Sequence, residues 1–314
     1  MAQPLYIAHQ TTQAINDAIK ADQGAKFRGF LKEHIMDIDD AFDSEEKDDF
    51  REHMGVSTSG EECARKLWYS WRWTKPVKHE GQLLRLFNRG HLEEARFVAM
   101  LRTIGCTVYQ ADSNGKQFRV SHFGGHYGSA IDSVTVGVPE NPTMPFLTEM
   151  KTHNEKSFRK LAGETDSKGN VVKAPQGVLK TKPEHYAQMQ QYAEYFKLEW
   201  CLYMAVNKNT DEIYCEFVQF KPQVAQYWRE RSGKIIFAKS APPRLAQDPT
   251  YWKCVYCPYI DQCHFDEGPV MNCRTCANSM PTEDGKWYCK EKGIILNKAD
   301  QLAGCEDWAK HHSY

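Results

Sequence analysis

Gly128-Ser129-Ala130-Ile131-Asp132, followed in the next apolar run by Glu149-Met150-Lys151, is the stretch of sequence that decides the fold. Ser129 to Val136 and Phe146 to Lys151 both read as strands, rich in β-branched and apolar residues. Alternation along the second strand puts Glu149 and Lys151 on one face and Met150 on the other. With the two strands side by side, Asp132 and Glu149 can bind one divalent cation. Lys151 is then placed to orient or help activate a metal-bound water, which is the equipment of phosphodiester cleavage.

Upstream, a helix from Gly81 through Leu101 carries Gly90-His91-Leu92-Glu93-Glu94. His91 and Glu94 stand at i and i+3 and look toward one site, whereas Glu93 points elsewhere. His91 can add an imidazole ligand facing the two carboxylates, and Glu94 is a second candidate. Downstream, a helix over Pro183 to Phe196 offers Gln191 and Tyr195 on a shared face; Gln188 and Tyr192 have the same spacing, so both registers are open. Taken singly these features are ordinary, since an E-x-K triplet is usually a solvated strand face and a helical histidine is usually not a ligand. Their order along the chain is what points to a site.

In that order (G-H on a helix, G-x-x-x-D, E-x-K on a strand, Q-x-x-x-Y on a helix) the sequence resembles the PD-(D/E)XK nuclease superfamily, and within it the RecB-like branch, over roughly residues 57–265. The resemblance implies an α/β fold: a restriction-endonuclease-like core with a central mixed sheet flanked by helices. It makes His91, Asp132 and Glu149 ligands of Mg²⁺ or Mn²⁺, Lys151 the catalytic lysine, and Gln191 with Tyr195 the accessory motif. Ile131 stands where the superfamily's name has proline.

Eleven cysteines bring a second kind of chemistry. Cys254, Cys257 and Cys263 form a compact thiolate knuckle without a local fourth ligand, and Cys63 can supply the missing sulfur. One early and three late cysteines resemble the arrangement of RecB-like nucleases with iron–sulfur clusters, including AddB and the CRISPR-associated four-cysteine exonucleases. That resemblance implies a structural 4Fe-4S cluster at Cys63, Cys254, Cys257 and Cys263. Thiolates suit zinc as well, so the arrangement rather than the ligand type carries the assignment. Beyond it, Cys273, Cys276, Cys289 and Cys305 make a second set that reads as a small zinc-ribbon-like module, with His311 or His312 as substitutes for one ligand. Cys106, Cys201 and Cys215 sit in apolar strand patterns and read as inert core residues.

Around these motifs the chain reads as three consecutive blocks: a helical extension over 1–56, a nuclease domain over 57–268, and a cysteine-rich module over 269–314. The first block holds helix-compatible spacing over Thr12 to Ala21 and Phe27 to Ile35, then the acidic run Asp37 to Asp49, a solvated face. Ser59-Gly60-Glu61-Glu62 has the capping-box pattern and opens a helix with Cys63, Leu67 and Trp71. Further strands are expected over Gly105 to Tyr109 and Phe118 to His122, a hairpin over Glu199 to Val206 and Glu212 to Phe220, and a last helix over Lys221 to Lys239. Residues 162–182, with glycine, proline and several lysines but no periodicity, read as a long mobile insertion.

The 314 residues, 41% hydrophobic and 26% charged, can bury a sizeable core, which excludes a disordered tail or a disulfide-stapled mini-protein. Forty basic against 41 acidic side chains leave a net charge of -1, so nucleic-acid binding must come from a local patch. Lys156, Arg159, Lys160, Lys173, Lys180 and Lys182 supply one, with Trp68, Trp71 and Trp73 as candidate base-stacking platforms or, equally, core residues. No export signal and no long apolar run is present, so the expected location is the cytoplasm, with no membrane partner.

The function that follows is a metal-dependent DNA exonuclease acting on DNA with free ends, in recombination or DNA processing and with a recombination partner protein. The alternative is a DNA-end binding or handover protein that serves a recombinase or integrase, with cleavage secondary. An iron–sulfur redox sensor is a third class, but no redox partner module accompanies the cysteines.

Overall fold

The computed structural model describes residues 4–44, 50–166, 168 and 170–314; positions 45–49 of the acidic run lie outside the described residues. The chain divides into two compact units. Unit 1 takes Met1–Glu45, His79–Arg119 and Ala130–Ala225, and unit 2 takes Glu46–Lys78, Val120–Ser129 and Gln226–Tyr314. The two units interleave along the sequence, where the sequence by itself suggests consecutive blocks.

Unit 1 is a mixed sheet flanked by helices. In chain order its principal elements are β1 (Tyr6–Ile7), α1 (His9–Ala21), α2 (Ala25–His34), α3 (Gly81–Thr103), β2 (Thr107–Tyr109), β3 (Ser133–Val136), β4 (Phe146–His153), α4 (Glu155–Ala162), α5 (Pro183–Phe196), β5 (Trp200–Asn207) and β6 (Ile213–Gln219). The strand order is β1-β6-β5-β4-β3-β2. Only the β4–β5 pair is parallel; β5 and β6 form the expected hairpin, and β3 lies antiparallel to β4. The parallel pair requires a crossover, which α4 and α5 provide.

The period of two decides the two faces of the central strands. Phe146 and Met150 of β4 join Leu202, Met204 and Val206 of β5 in one apolar cluster with Ile15 of α1 and Phe97, Val98 and Leu101 of α3. The other face of β4 carries Glu149, Lys151 and His153. The amino-terminal residues are an integral layer of this unit rather than a preface: β1 extends the sheet beside β6, and α1 buries Ile15 in the core. The described residues within 162–182 also hold more secondary structure than their composition suggests. Glu164–Thr165 pairs with Val171–Lys173, and Gly177–Thr181 is a helical turn whose Val178 N–H donates to the Glu216 carboxylate at 2.8 Å.

Unit 2 is built on aromatic packing. Its helix Ala64–Trp71 starts later than the capping-box pattern implies: the N-cap is Cys63, whose sulfur accepts the Lys66 N–H at 3.4 Å, while Ser59 is buried. Trp68, Trp71 and Trp73 are all buried, which decides between their two readings in favour of the core and against stacking platforms for bases. Arg274, itself buried, lies over Trp71, Trp73 and Trp287 at 4.5, 3.8 and 4.8 Å from the ring centroids. Arg72 lies over Trp68 and Trp287. Desolvated cation–π contacts of this kind are worth about 2 kcal/mol each. They bind the small sheet of Ser279–Pro281, Trp287–Cys289 and Ile294–Leu296 to the first helix of the unit. A close backbone approach adds to this. Gly124 and Gly285 both have positive φ, and a Cβ on Gly285 would fall 1.9 Å from the Gly124 carbonyl oxygen, a separation only two glycines allow.

Candidate active site

Unit 1 gathers a cluster of ionisable groups where β3 and β4 part. The antiparallel pairing runs from Thr135 opposite Phe146 to Ser133 opposite Thr148. Past that point Asp132 takes over, its Oδ2 accepting the Met150 N–H at 2.7 Å. A carboxylate that accepts a main-chain N–H of β4 in this way is fixed in orientation, and Lys151 Nζ lies 3.9 Å from the same oxygen. The ammonium also contacts the Glu149 carboxylate.

Glu149 is fully buried, and neither of its carboxylate oxygens has a well-aligned hydrogen bond, the Lys151 contact being an ion pair without hydrogen-bond geometry. Burial pushes its pKa up to about 8; Lys151 opposes the shift, while Asp132 and Glu94 add to it. Burial disfavours the Lys151 charge too, but Glu149 and then Asp132 outweigh that and hold the ammonium above its ordinary value. Glu94 is likewise raised, by burial first, with hydrogen bonding to His91 opposing and Asp132 reinforcing. His91 Nδ1 lies 3.7 Å from Glu94 Oε1. The neighbouring Glu93 instead pairs with Arg96 at 2.8 Å, on another face of α3.

His91, Glu94, Asp132, Glu149 and Lys151 thus act on one another electrostatically, with three carboxylates set against one ammonium. Three carboxylates around one buried position fit a divalent cation chemically. As the side chains stand, Lys151 occupies the space next to Glu149 and Asp132. Among the described residues no three of His, Cys, Asp and Glu are arranged as a set that could hold a metal ion.

On α5 the two open registers separate. Tyr192 is buried, receives the Gln188 amide N–H on its hydroxyl at 3.1 Å, and acts on Lys151. Gln191 is buried and donates to the Ala187 carbonyl at 3.1 Å, while Tyr195 is 41% exposed with its ring against Phe196. Tyr192 is thus brought to Lys151, with Gln188 bonded to it. Spacing alone could not choose between them, because both pairs lie four apart and only the packing of α5 fixes its rotation.

β4 runs two residues beyond Lys151, and alternation then puts His153 on the Glu149 face. Tyr203, directly opposite Glu149 on β5, has its hydroxyl 2.9 Å from both His153 Nε2 and His185 Nδ1. Both imidazoles are pushed down, His153 to about 4 and His185 to about 2, by burial first and then by neighbouring lysines that include Lys151 and Lys182. Extending the strand pattern by two residues would have found His153; nothing in the sequence signals that Tyr203 and His185 join it.

The basic set is partly neutralised. Arg159 pairs with Glu155 and Glu212, and Lys173 with Glu164. Lys156, Lys160 and Lys182, with Asn154, Ser157 and Thr181, line an open concavity of about 240 Å³.

The cysteines of both sets lie in unit 2. Burial raises the Cys257 and Cys263 thiols, and the nearby Cys63 raises each further. The Cys257 N–H donates to the Cys254 carbonyl at 2.9 Å, closing the knuckle. Cys273 is pushed up to about 11 by burial, then by Cys305, Cys276 and Cys289. His311 stacks on His312, meets Trp68 at a tilt, and is pushed down to about 4 by burial. Cys106, Cys201 and Cys215 are buried, and burial raises all three thiols.

No protein-family model matches the chain, and no curated protein is significantly similar to it. Solved structures do resemble it. SSO0001 is 14% identical, with 74% of this chain and 91% of that one covered and a TM-score of 0.35. An alkaline exonuclease, LHK-Exo from Laribacter hongkongensis, is 14% identical over 59% of this chain and 86% of its own, with a TM-score of 0.36. The same exonuclease in complex with dAMP gives 0.37.

Proposed function

We propose that this chain is a divalent-metal-dependent deoxyribonuclease of the PD-(D/E)XK, RecB-like kind that degrades DNA from its ends. The observation that carries the proposal is Glu149: a fully buried carboxylate without a well-aligned hydrogen bond, alternating with Lys151 on one strand and flanked by Asp132, Glu94 and His91. Burying such a carboxylate is costly, and the Lys151 ammonium is the one donor set against it among the described residues. Asp132, Glu149 and His91 would hold Mg²⁺ or Mn²⁺, with Glu94 beside them. When bound, the cation polarises the phosphate and makes water a nucleophile near neutral pH.

Lys151 supplies the positive charge that stabilises the developing negative charge on the attacked phosphate. Tyr192 and Gln188 support Lys151 from α5, in place of Gln191 and Tyr195. Lys156, Lys160 and Lys182 hold the DNA backbone. In unit 2, Cys63, Cys254, Cys257 and Cys263 would carry a 4Fe-4S cluster, and Cys273, Cys276, Cys289 and Cys305 would carry Zn²⁺. Both are structural, and neither takes part in cleavage. A role in recombination beside a partner protein in the cytoplasm fits an end-directed nuclease.

The deciding experiment is digestion of end-labelled linear DNA and covalently closed circular DNA with Mg²⁺, Mn²⁺ or chelator. Metal-dependent loss of the linear substrate, with the circle spared, supports the exonuclease. Protection of DNA ends under every condition overturns it in favour of the end-binding alternative.

A further inference from the structure

The histidine–tyrosine row beside Lys151 joins α4, β4, β5 and α5 and is chemically specific. Ser157 Oγ lies 3.1 Å from His153 Nδ1, His153 Nε2 lies 2.9 Å from the Tyr203 hydroxyl, and that hydroxyl lies 2.9 Å from His185 Nδ1. Ser157 is itself anchored, its N–H donating to the Asn154 side chain that caps α4. The row ends at His185 Nε2, which has no partner among the described residues and belongs to a residue only partly buried. Lys151 and Lys182 both act on this imidazole.

The Tyr203 hydroxyl has one proton and two histidine neighbours, so it donates to one and accepts from the other. With each imidazole carrying one proton, the whole row must therefore point one way. Either Ser157 donates to His153, His153 to Tyr203 and Tyr203 to His185, which leaves His185 with an N–H at Nε2, or every bond is reversed and Nε2 is a bare acceptor. A phosphate oxygen is an acceptor and selects the first arrangement.

We propose that His185 binds a phosphate oxygen of the DNA substrate through its Nε2–H, and that Ser157, His153 and Tyr203 are positioning residues that fix its tautomer. The proposal rests on the reading of unit 1 as a nuclease, but its test does not depend on cleavage. A neutral donor here grips the backbone without adding another charge beside Lys151 and Lys182. Because both outer groups of the row can donate or accept, the tautomer can reverse when DNA arrives.

The test uses the full-length protein, a short single-stranded oligonucleotide and chelator, with affinity read by fluorescence anisotropy and folding by thermal melting. His185→Phe should weaken binding about tenfold, the loss expected for one hydrogen bond to a charged group. His185→Gln, whose amide reaches toward the Nε2 position, should bind within about threefold of wild type, and Tyr203→Phe should fall between them. Long-range ¹H–¹⁵N correlation of the oligonucleotide complex should show His185 protonated at Nε2 in wild type and a tautomer mixture in Tyr203→Phe. Unchanged affinity in His185→Phe overturns the proposal, as does a His185 protonated at Nδ1 in the complex. Equal weakening by Phe and Gln together with lower melting also overturns it, because that is a structural role. If wild type cleaves nothing with Mg²⁺ or Mn²⁺ while the Phe loss and Gln rescue hold, the nuclease reading fails and the phosphate contact stands. If wild type cleaves and His185→Phe binds and cleaves normally, the reverse is true.

Discussion

Glu149→Gln should abolish DNA cleavage and at the same time stabilise the metal-free protein, increasingly so as pH rises. The carboxyl is fully buried, and its pKa is pushed from an ordinary 4.5 up to about 8. Between those values the unfolded chain has lost the proton while the folded chain keeps it, so wild-type stability falls as pH rises. The contribution is fully present below 4.5 and lost as pH climbs to about 8. Lys151 adds no slope in that window, since its pKa is held above its ordinary value and it is charged in both states. A slope of about 1.4 kcal/mol per pH unit sets an upper bound of roughly 5 kcal/mol across the window. That pKa already contains the pull of Lys151, so its loss is not subtracted a second time, and the gain at pH 8 stays below this bound. The assay is urea unfolding of both proteins in chelator at pH 5, 6.5 and 8. The two stability curves should nearly meet at pH 5 and diverge steadily above it. Parallel curves would refute the assignment of Glu149 as a buried, cation-seeking carboxylate.

Lys151→Ala should lower turnover on linear DNA by about a hundredfold or more while leaving DNA affinity within a few-fold, because the charge acts mainly on the transition state; near wild-type turnover at saturating Mg²⁺ or Mn²⁺ would contradict this. Anaerobically purified protein should be brown, with iron and sulfide in near-equal amounts and with zinc that survives oxidation of the cluster. Inorganic analysis that finds zinc alone, without sulfide, would sink the cluster assignment. Truncation after Gly268 should unfold unit 2 rather than merely weaken DNA binding, since it removes Arg274 and Trp287 from among Trp68, Trp71 and Trp73. A truncated protein that melts like the full chain would show that this packing is dispensable.

Local pattern was enough to read β2 to β6 of the sheet and the chemistry of one strand, while the two-residue β1 has no pattern to read. The E-x-K triplet placed Glu149 and Lys151 on one face and Met150 on the other because a strand's side chains alternate by geometry alone, whatever surrounds them. The i and i+3 spacing put His91 with Glu94, and Glu93 apart from them, for the corresponding reason on a helix. What spacing cannot give is rotation and continuation. The choice of Gln188 and Tyr192 over Gln191 and Tyr195 depends on which stripe of α5 meets the sheet, and both stripes have the same period. Alternation alone does not show that the strand continues two residues beyond Lys151 and so brings in His153.

The sequence by itself determined the order of the principal helices and strands of unit 1 and the polarity of β4, since each depends on neighbours within a few residues. Only the tertiary structure decided that Asp132 completes the β4 ladder, that Tyr203 joins His153 to His185, and that three tryptophans suited to stacking on bases are closed around buried arginines instead. Those outcomes join residues far apart in the chain, and their energies come from burial and desolvation. Burial is a property of what packs above a side chain, and no local pattern records it.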